Sequence, residues 1–292
     1  MVLKKSWKRL FIILFIVGLF ISGYFMYKRF FKHEKEDTPK EEIKDVKEVE
    51  PVYTDHAHEF DIKEANYLEK YYERYIAYKN SHPEYSDDTV ITYVNIGLDN
   101  EFYTNMEDVN MDDGILVLCN KYHILKSNYV PDLVSLPSKY GGGQMQKEAA
   151  SFFMKMVDAA KIDGIKLRNV SGYRSYNTQK TLYNNYVKRD GVAKADTYSA
   201  RPGSSEHQTG LASDINTASS KAHFEKTKEY AWLIDNSYKY GFILRYLEGK
   251  TFITGYKYEP WHYRYVGVDV AKVIYEKNIT YEEYYATYLL KD

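Results

Sequence analysis

Two short segments constrain this chain more than any other feature, because their side chains are useful only if the fold brings them to one point. The first is Ser205-Glu206-His207-Gln208-Thr209-Gly210-Leu211-Ala212-Ser213-Asp214; the second, 45 residues on, is Glu259-Pro260-Trp261-His262. Six residues separate His207 from Asp214, with Gly210 among them, a spacing that does not suit one face of a helix. It suits a strand–turn or bulge that aims two side chains at one ion. His262 adds a third donor, and two imidazoles with one carboxylate make a zinc set that leaves a fourth tetrahedral position open. Glu259, three positions before His262, can reach a water at that open position and take its proton without being a ligand.

The rest of the chain narrows the setting. Its 292 residues allow one large domain or two ordinary ones, and 44% hydrophobic residues are enough for a core. A formal net charge of −1 gives no bulk attraction to polyanions, so no nucleic-acid partner is expected. Thirty-two tyrosines stand out; their amphipathic rings suit strands and half-buried surfaces, and equally the walls of glycan or peptide grooves. Cys119 is the lone cysteine, so no internal disulfide supports the fold, and Leu116-Val117-Leu118-Cys119 reads as a buried strand with an inert thiol.

At the N-terminus, Lys4, Lys5, Lys8 and Arg9 precede an apolar run over 10–27. About 18 residues at 1.5 Å each span roughly 27 Å, enough to cross the hydrocarbon core. Ser22-Gly23-Tyr24-Phe25 is a poor cleavage site and no lipid-accepting cysteine follows, so the run is expected to be an uncleaved anchor. The positive residues ahead of it favour a cytoplasmic 1–9 and an extracytoplasmic remainder. Residues 28–57, dominated by Lys, Glu and Asp, read as a disordered charged stalk. The domain is then expected over 58–292, and nothing in the chain specifies an oligomeric state.

Within it, apolar spacing predicts a helix over 60–79 ended by His82-Pro83, strands over 89–98 and 114–120, and a tight turn at Gly141-Gly142-Gly143. Helices are expected over 145–163 and 177–188, with a strand over 165–170 between them. A helix over 229–239 precedes strands at 242–246 and 251–253 around Glu248-Gly249. A strand over 261–266 and a last substantial helix over 268–276 follow. Mixed elements with an antiparallel hairpin near the end indicate an α+β fold.

The pattern Ser205-x-His207-x2-Gly210-x-Ala212-x-Asp214, followed by Glu259-x-Trp261-His262, resembles the zinc D-alanyl-D-alanine peptidases of the VanY type. Asn120-Lys121-Tyr122 and Tyr129-Val130-Pro131-Asp132-Leu133 are similar to that family's early segment. Ser171-Gly172-Tyr173-Arg174-Ser175 with Gln179 is similar to its arginine motif. The resemblance covers roughly 89–268. It implies a small antiparallel sheet with flanking helices around one zinc ion, of the LAS/Hedgehog-like type. It also implies His207, Asp214 and His262 as zinc ligands and Glu259 as base. Arg174 would act on the substrate carbonyl or oxyanion, and Ser205 and Gln179 on the substrate's terminal carboxylate. The planar donor fork of Arg174 suits that task on physical grounds as well. The implied activity is D,D-carboxypeptidase cleavage of the terminal D-Ala of peptidoglycan stem peptides. The alternatives are L,D-cleavage of tetrapeptide stems, or a noncatalytic metal-containing wall-binding domain, which would have no use for Glu259.

Overall fold

Ser86 starts the first feature that departs from these expectations. Its Oγ accepts the Thr89 backbone N–H at 3.2 Å, Asp87 and Asp88 occupy the first turn, and Gly97 closes the segment in the left-handed conformation at φ 97°. Asp87–Ile96 is therefore a helix, not a strand. Val90, Ile91 and Val94 point into the core from one helical face, and capping with tertiary packing overrides the strand preference of the β-branched residues.

The computed structural model describes residues 56–291, apart from 218, 220 and 221. The expected N-terminus, anchor and all of the stalk up to residue 55 lie outside these residues. His56 and Ala57, expected in the stalk, belong to the folded unit. The His56 backbone N–H donates to Glu69 Oε2 at 3.0 Å, its ring stacks on Tyr72, and Ala57 begins a 3-10 turn. No helix among the described residues is long and apolar enough to cross a membrane.

In chain order the helices of more than one turn are α1 (Tyr72–Ser81), α2 (Asp87–Ile96), α3 (Lys147–Ile162), α4 (Tyr176–Asp190), α5 (Lys228–Asn236), α6 (Val268–Lys277) and α7 (Tyr281–Tyr288). Helix α1 begins twelve residues later than its apolar spacing suggests. The carboxylates of Asp87 and Asp88, at the start of α2, accept the backbone N–H groups of Asp61, Lys63, Glu64 and Ala65, so that stretch bonds to side chains instead of to its own carbonyls. Helix α7 was not anticipated, although Thr280 and Glu283 form a reciprocal capping box that marks its start.

The strands are β1 (Glu107–Asp108), β2 (His123–Ile124), β3 (Leu133–Ser135), β4 (Gln144–Gln146), β5 (Leu167–Ser171), β6 (Ala212–Thr217), β7 (Phe242–Leu244) and β8 (His262–Tyr265). The last four make one antiparallel sheet in the order β5-β6-β8-β7. Besides 89–98, two expected strands are absent from it. Met111–Leu116 is a 3-10 stretch kinked at Gly114, and Val117 to Cys119 runs on without a strand partner. The Ile115 and Val117 carbonyls accept from Arg264 Nη2 and the Leu116 carbonyl from the Tyr281 hydroxyl, so side chains take the bonds a neighbouring strand would have made. Thr251–Thr254 is a helical turn, and β7 pairs with β8 across a long connection, not a hairpin.

Alternation along the strands separates two environments. Tyr263 and Tyr265 of β8, Ile215 of β6 and Phe242 of β7 pack with Phe153, Met156 and Ala160 of α3. On the other face Ile243 joins Ala271 and Ile274 of α6 and Tyr281 and Tyr285 of α7. His262 and Arg264 alternate with the tyrosines and so project toward this second face. The three-glycine turn is pressed against β5: a Cβ on Gly141 would stand 2.1 Å from the Asn169 carbonyl oxygen.

Candidate metal centre and active site

Asp214 and His262 are direct cross-strand partners in the β6–β8 ladder, and Ser171 faces Asp214 from β5 beside a register shift. His207 comes from the 3-10 turn Glu206–Thr209, which Gly210 ends in the left-handed conformation. A Cβ at Gly210 would lie 3.0–3.2 Å from Leu133, Gln146 and Pro131, so the turn both bends sharply and packs closely.

This arrangement gathers one donor atom from each of His207, Asp214 and His262, all within 4.8 Å of one another. Asp214 Oδ1 stands 3.4 Å from His207 Nε2 and 3.2 Å from His262 Nδ1. The far nitrogen of each ring is already engaged. His207 Nδ1 pairs with the Gly172 carbonyl at 2.7 Å and His262 Nε2 with Glu206 Oε2 at 3.3 Å. A carbonyl and a carboxylate only accept, so each far nitrogen carries the proton and each near nitrogen turns a lone pair inward. Asp214 Oδ1 is buried without a hydrogen-bond donor. Three acceptors thus face one point, an arrangement a cation satisfies, and nitrogen, nitrogen and oxygen are a zinc donor set.

Burial by itself would raise the Asp214 pKa, but His207 and His262 hold it well below the carboxylate range. Burial lowers His262, yet the neighbouring carboxylates of Asp214 and Glu206 overcome it and push the imidazole up to about 9. Without a cation, a proton takes the cation's place. Burial pushes Glu259 up to about 8 against the pull of His262, from whose Nδ1 its Oε2 lies 3.8 Å away.

A cleft of about 440 Å³ opens over these groups. Tyr186, Tyr198, Tyr246, Tyr256, Tyr258 and Trp261 form much of its wall, which puts a share of the tyrosine excess at the site. Arg174 enters from the end of β5. Its Nη1 donates to Gln179 Oε1 at 2.7 Å and its Nη2 to Ser171 Oγ at 2.9 Å, and Nη2 lies 3.6 Å from Asp214 Oδ2. Ser205 lines the cleft, and its side chain does not cap the turn it precedes.

Gln179 also lines the cleft, and its bonds within the protein tie it to Arg174. Its carbonyl accepts from Arg174 and its amide donates to the Ala200 carbonyl at 2.7 Å, so it braces Arg174 from below. Glu206, Arg245, Arg264 and Glu282 were missed altogether. Glu206 stands inside the first motif beside His207, but nothing in the sequence tells a wholly buried carboxylate there from an exposed one.

The fold and this site define an α+β protein with a three-donor metal centre, a carboxylate poised beside it and an arginine across the cleft, the equipment of a metal-dependent hydrolase. The family model for VanY, D-alanyl-D-alanine carboxypeptidase, matches residues 142–268. YodJ of Bacillus subtilis (strain 168), provisionally named a carboxypeptidase, is 46% identical over 191 residues, covering 62% of this chain and 70% of that protein. Among solved structures, the LdcB LD-carboxypeptidase has a TM-score of 0.59 at 43% identity, covering 64% of this chain and 94% of that one. A vancomycin-resistance D,D-pentapeptidase VanY variant in complex with Zn(II) has a TM-score of 0.52 at 38% identity, covering 58% and 97%. The chain belongs to the VanY family.

Proposed function

We propose that this chain is a zinc-dependent D,D-carboxypeptidase that hydrolyses the terminal D-Ala of peptidoglycan stem peptides. The observation that carries the reading is the convergence of His207 Nε2, His262 Nδ1 and Asp214 Oδ1 beside Glu259 and Arg174 in one cleft. Bound among those three donors, zinc supplies Lewis acidity, which acidifies a water and polarises a carbonyl.

The protein's own groups do the rest. Glu259 accepts a proton from the attacking water and returns it to the leaving amine. Its pKa of about 8 belongs to the site with no metal cation among the donors; a divalent charge there would bring it down into the range of a working base. Arg174, held by Gln179 and Ser171, offers its remaining donors to the substrate carbonyl as negative charge develops there. Ser205 has a hydroxyl free of capping duty to give the substrate's terminal carboxylate. The anchor over 10–27 and the stalk place the domain, on this reading, outside the cell membrane where stem peptides are found.

The likeness to the LdcB LD-carboxypeptidase favours a second reading, removal of the last D-Ala from tetrapeptide stems. One experiment tests both. The zinc-loaded protein is incubated with muropeptides ending in D-Ala-D-Ala and with others ending in a single D-Ala, and released D-alanine is quantified beside a Glu259→Gln control. Release from the first substrate supports D,D-cleavage, and release from the second alone supports the L,D-reading. Release from neither at full zinc occupancy refutes both, and a fully active Glu259→Gln refutes the role of the base.

A further inference from the structure

Behind His262, away from the cleft, lies a buried group of charges that the proposed reaction does not use. Glu206 and Arg245 have side chains 0% exposed. Glu206 Oε1 accepts from Arg245 Nε at 2.8 Å and from Arg264 Nη1 at 2.9 Å, while Oε2 faces His262 Nε2. Arg245 gives its other two nitrogens to Glu282, at 2.7 and 2.6 Å, in a two-pronged contact. The remaining Arg264 donors go to the Tyr265, Ile115 and Val117 carbonyls. Two guanidiniums and two carboxylates balance, and each of the six guanidinium nitrogens donates at least one hydrogen bond.

We propose that Glu206, Arg245 and Glu282 are positioning residues for the metal centre: they fix the ring orientation and tautomer of His262, and the C-terminal helix α7 is thereby part of the metal site. The inference rests on the reading that His207, Asp214 and His262 bind a cation. Stability is an incomplete explanation for this group, since a buried ion pair is often no better than an apolar pair of the same size. What an apolar pair cannot do is present a carboxylate oxygen to the Nε2–H of His262. In the neutral ring that contact keeps the proton on Nε2 and leaves the Nδ1 lone pair aimed at Asp214; without it the neutral ring can carry its proton on Nδ1, where no cation can bind. Glu206 can play this part only if its other oxygen is held, and two arginines hold it. Arg245 is held in turn by Glu282 from α7, which lies beyond the 142–268 match to the family model. The four residues come from the turn before β6, the end of β7, β8 and α7, so the geometry of one imidazole depends on the packing of a distant helix.

The test measures zinc affinity by competition with a chelator, and thermal unfolding of the zinc-free protein, for wild type and three variants. Glu206→Gln keeps the shape, but the arginines claim its carbonyl and turn its amide N–H toward His262, forcing the wrong tautomer. Zinc affinity is expected to fall about 10–100-fold, as for other groups that orient a metal-binding histidine. Glu282→Gln is expected nearer the lower end of that range. The double variant Arg245→Met/Glu282→Met removes the ion pair as a pair; its zinc-free protein should unfold near the wild-type temperature while zinc affinity stays at least about tenfold weaker. At a pH high enough for the ring to be neutral, nitrogen NMR shifts of zinc-free His262 should report the proton on Nδ1 in Glu206→Gln and on Nε2 in wild type. Wild-type zinc affinity in Glu206→Gln, or affinities that follow the unfolding temperature across all three variants, would overturn the inference. A wild-type protein that takes up no stoichiometric zinc would instead overturn the metal-centre reading itself, and this inference with it.

Discussion

Arg174 shows how much a single residue's neighbours add to its identity. The sequence places a permanently charged side chain between a strand and a helix and leaves open whether it binds a substrate or a structural carboxylate. In the fold it makes two hydrogen bonds to neutral groups, Gln179 and Ser171, and sits 3.6 Å from Asp214, with donors left over toward the cleft. Arg174→Ala is therefore expected to lower turnover about 10²–10³-fold, the usual cost of losing a donor to developing negative charge. Thermal unfolding should change little; equal losses of fold and turnover would make the residue structural. The donor triad and Glu259 were legible from spacing, because few other arrangements use two histidines, an aspartate and a glutamate in that order. Glu206 was not legible although it adjoins His207, since its role depends on Arg245 and Arg264 arriving from other strands. Gln179 was legible as a cleft residue, while its bonds to Arg174 and Ala200 appear only in the fold.

Among the elements, several that hold the site were readable, while the turn of His207 and the strand β6 of Asp214 were anticipated only as a strand–turn or bulge. The strand ending at Ser171, helix α4 with its Ser175 cap, and β8 all match apolar patterns bounded by clear punctuation. The errors gather where side chains from elsewhere take backbone bonds, as Arg264 does at 115 and 117 and Asp88 does at 63–65. Short β-branched runs misled for another reason: a capped helix and a strand bury similar residues over ten positions. The three-glycine turn gives a prediction at this scale. Gly141 has φ 109°, and an added methyl would strike the Asn169 carbonyl, so Gly141→Ala should destabilise the protein by about 2 kcal/mol or more in a denaturant titration. Gly142 is also left-handed but has open space at its Cβ position, and Gly142→Ala should cost clearly less. Equal costs at the two positions would show that the contact with β5 is not the cause.

For the whole molecule, metal, proton and folding are linked through His262. In the metal-free fold its pKa is raised from 6.5 to about 9. Its protonated form therefore stabilises that fold fully below about pH 6.5, and the contribution is lost as pH climbs through 9. A cation must displace this proton, so apparent zinc affinity should strengthen as pH rises between about 6.5 and 9 and level off above. Because ligand binding stabilises by the logarithm of one plus the ratio of free ligand to its dissociation constant, the gap in unfolding temperature between zinc-loaded and zinc-free protein should widen over the same window. A gap that stays constant from pH 6.5 to 9 would mean that His262 does not carry the displaced proton.

From the sequence alone come the α+β class, the three donors with a carboxylate beside them and, through the family resemblance, the expectation of a wall-peptide substrate. Within each of the two motifs the residues stand at short, fixed separations, which chain geometry largely preserves in any compact fold. Only the tertiary structure decided that Asp214 and His262 face each other across two strands, that aromatic rings from several segments enclose the cleft, and that a helix starting at residue 281 fixes the orientation of a histidine at 262. Such contacts join positions far apart in the chain, and their existence depends on which buried charges find partners, a property of the assembled core that no local pattern encodes.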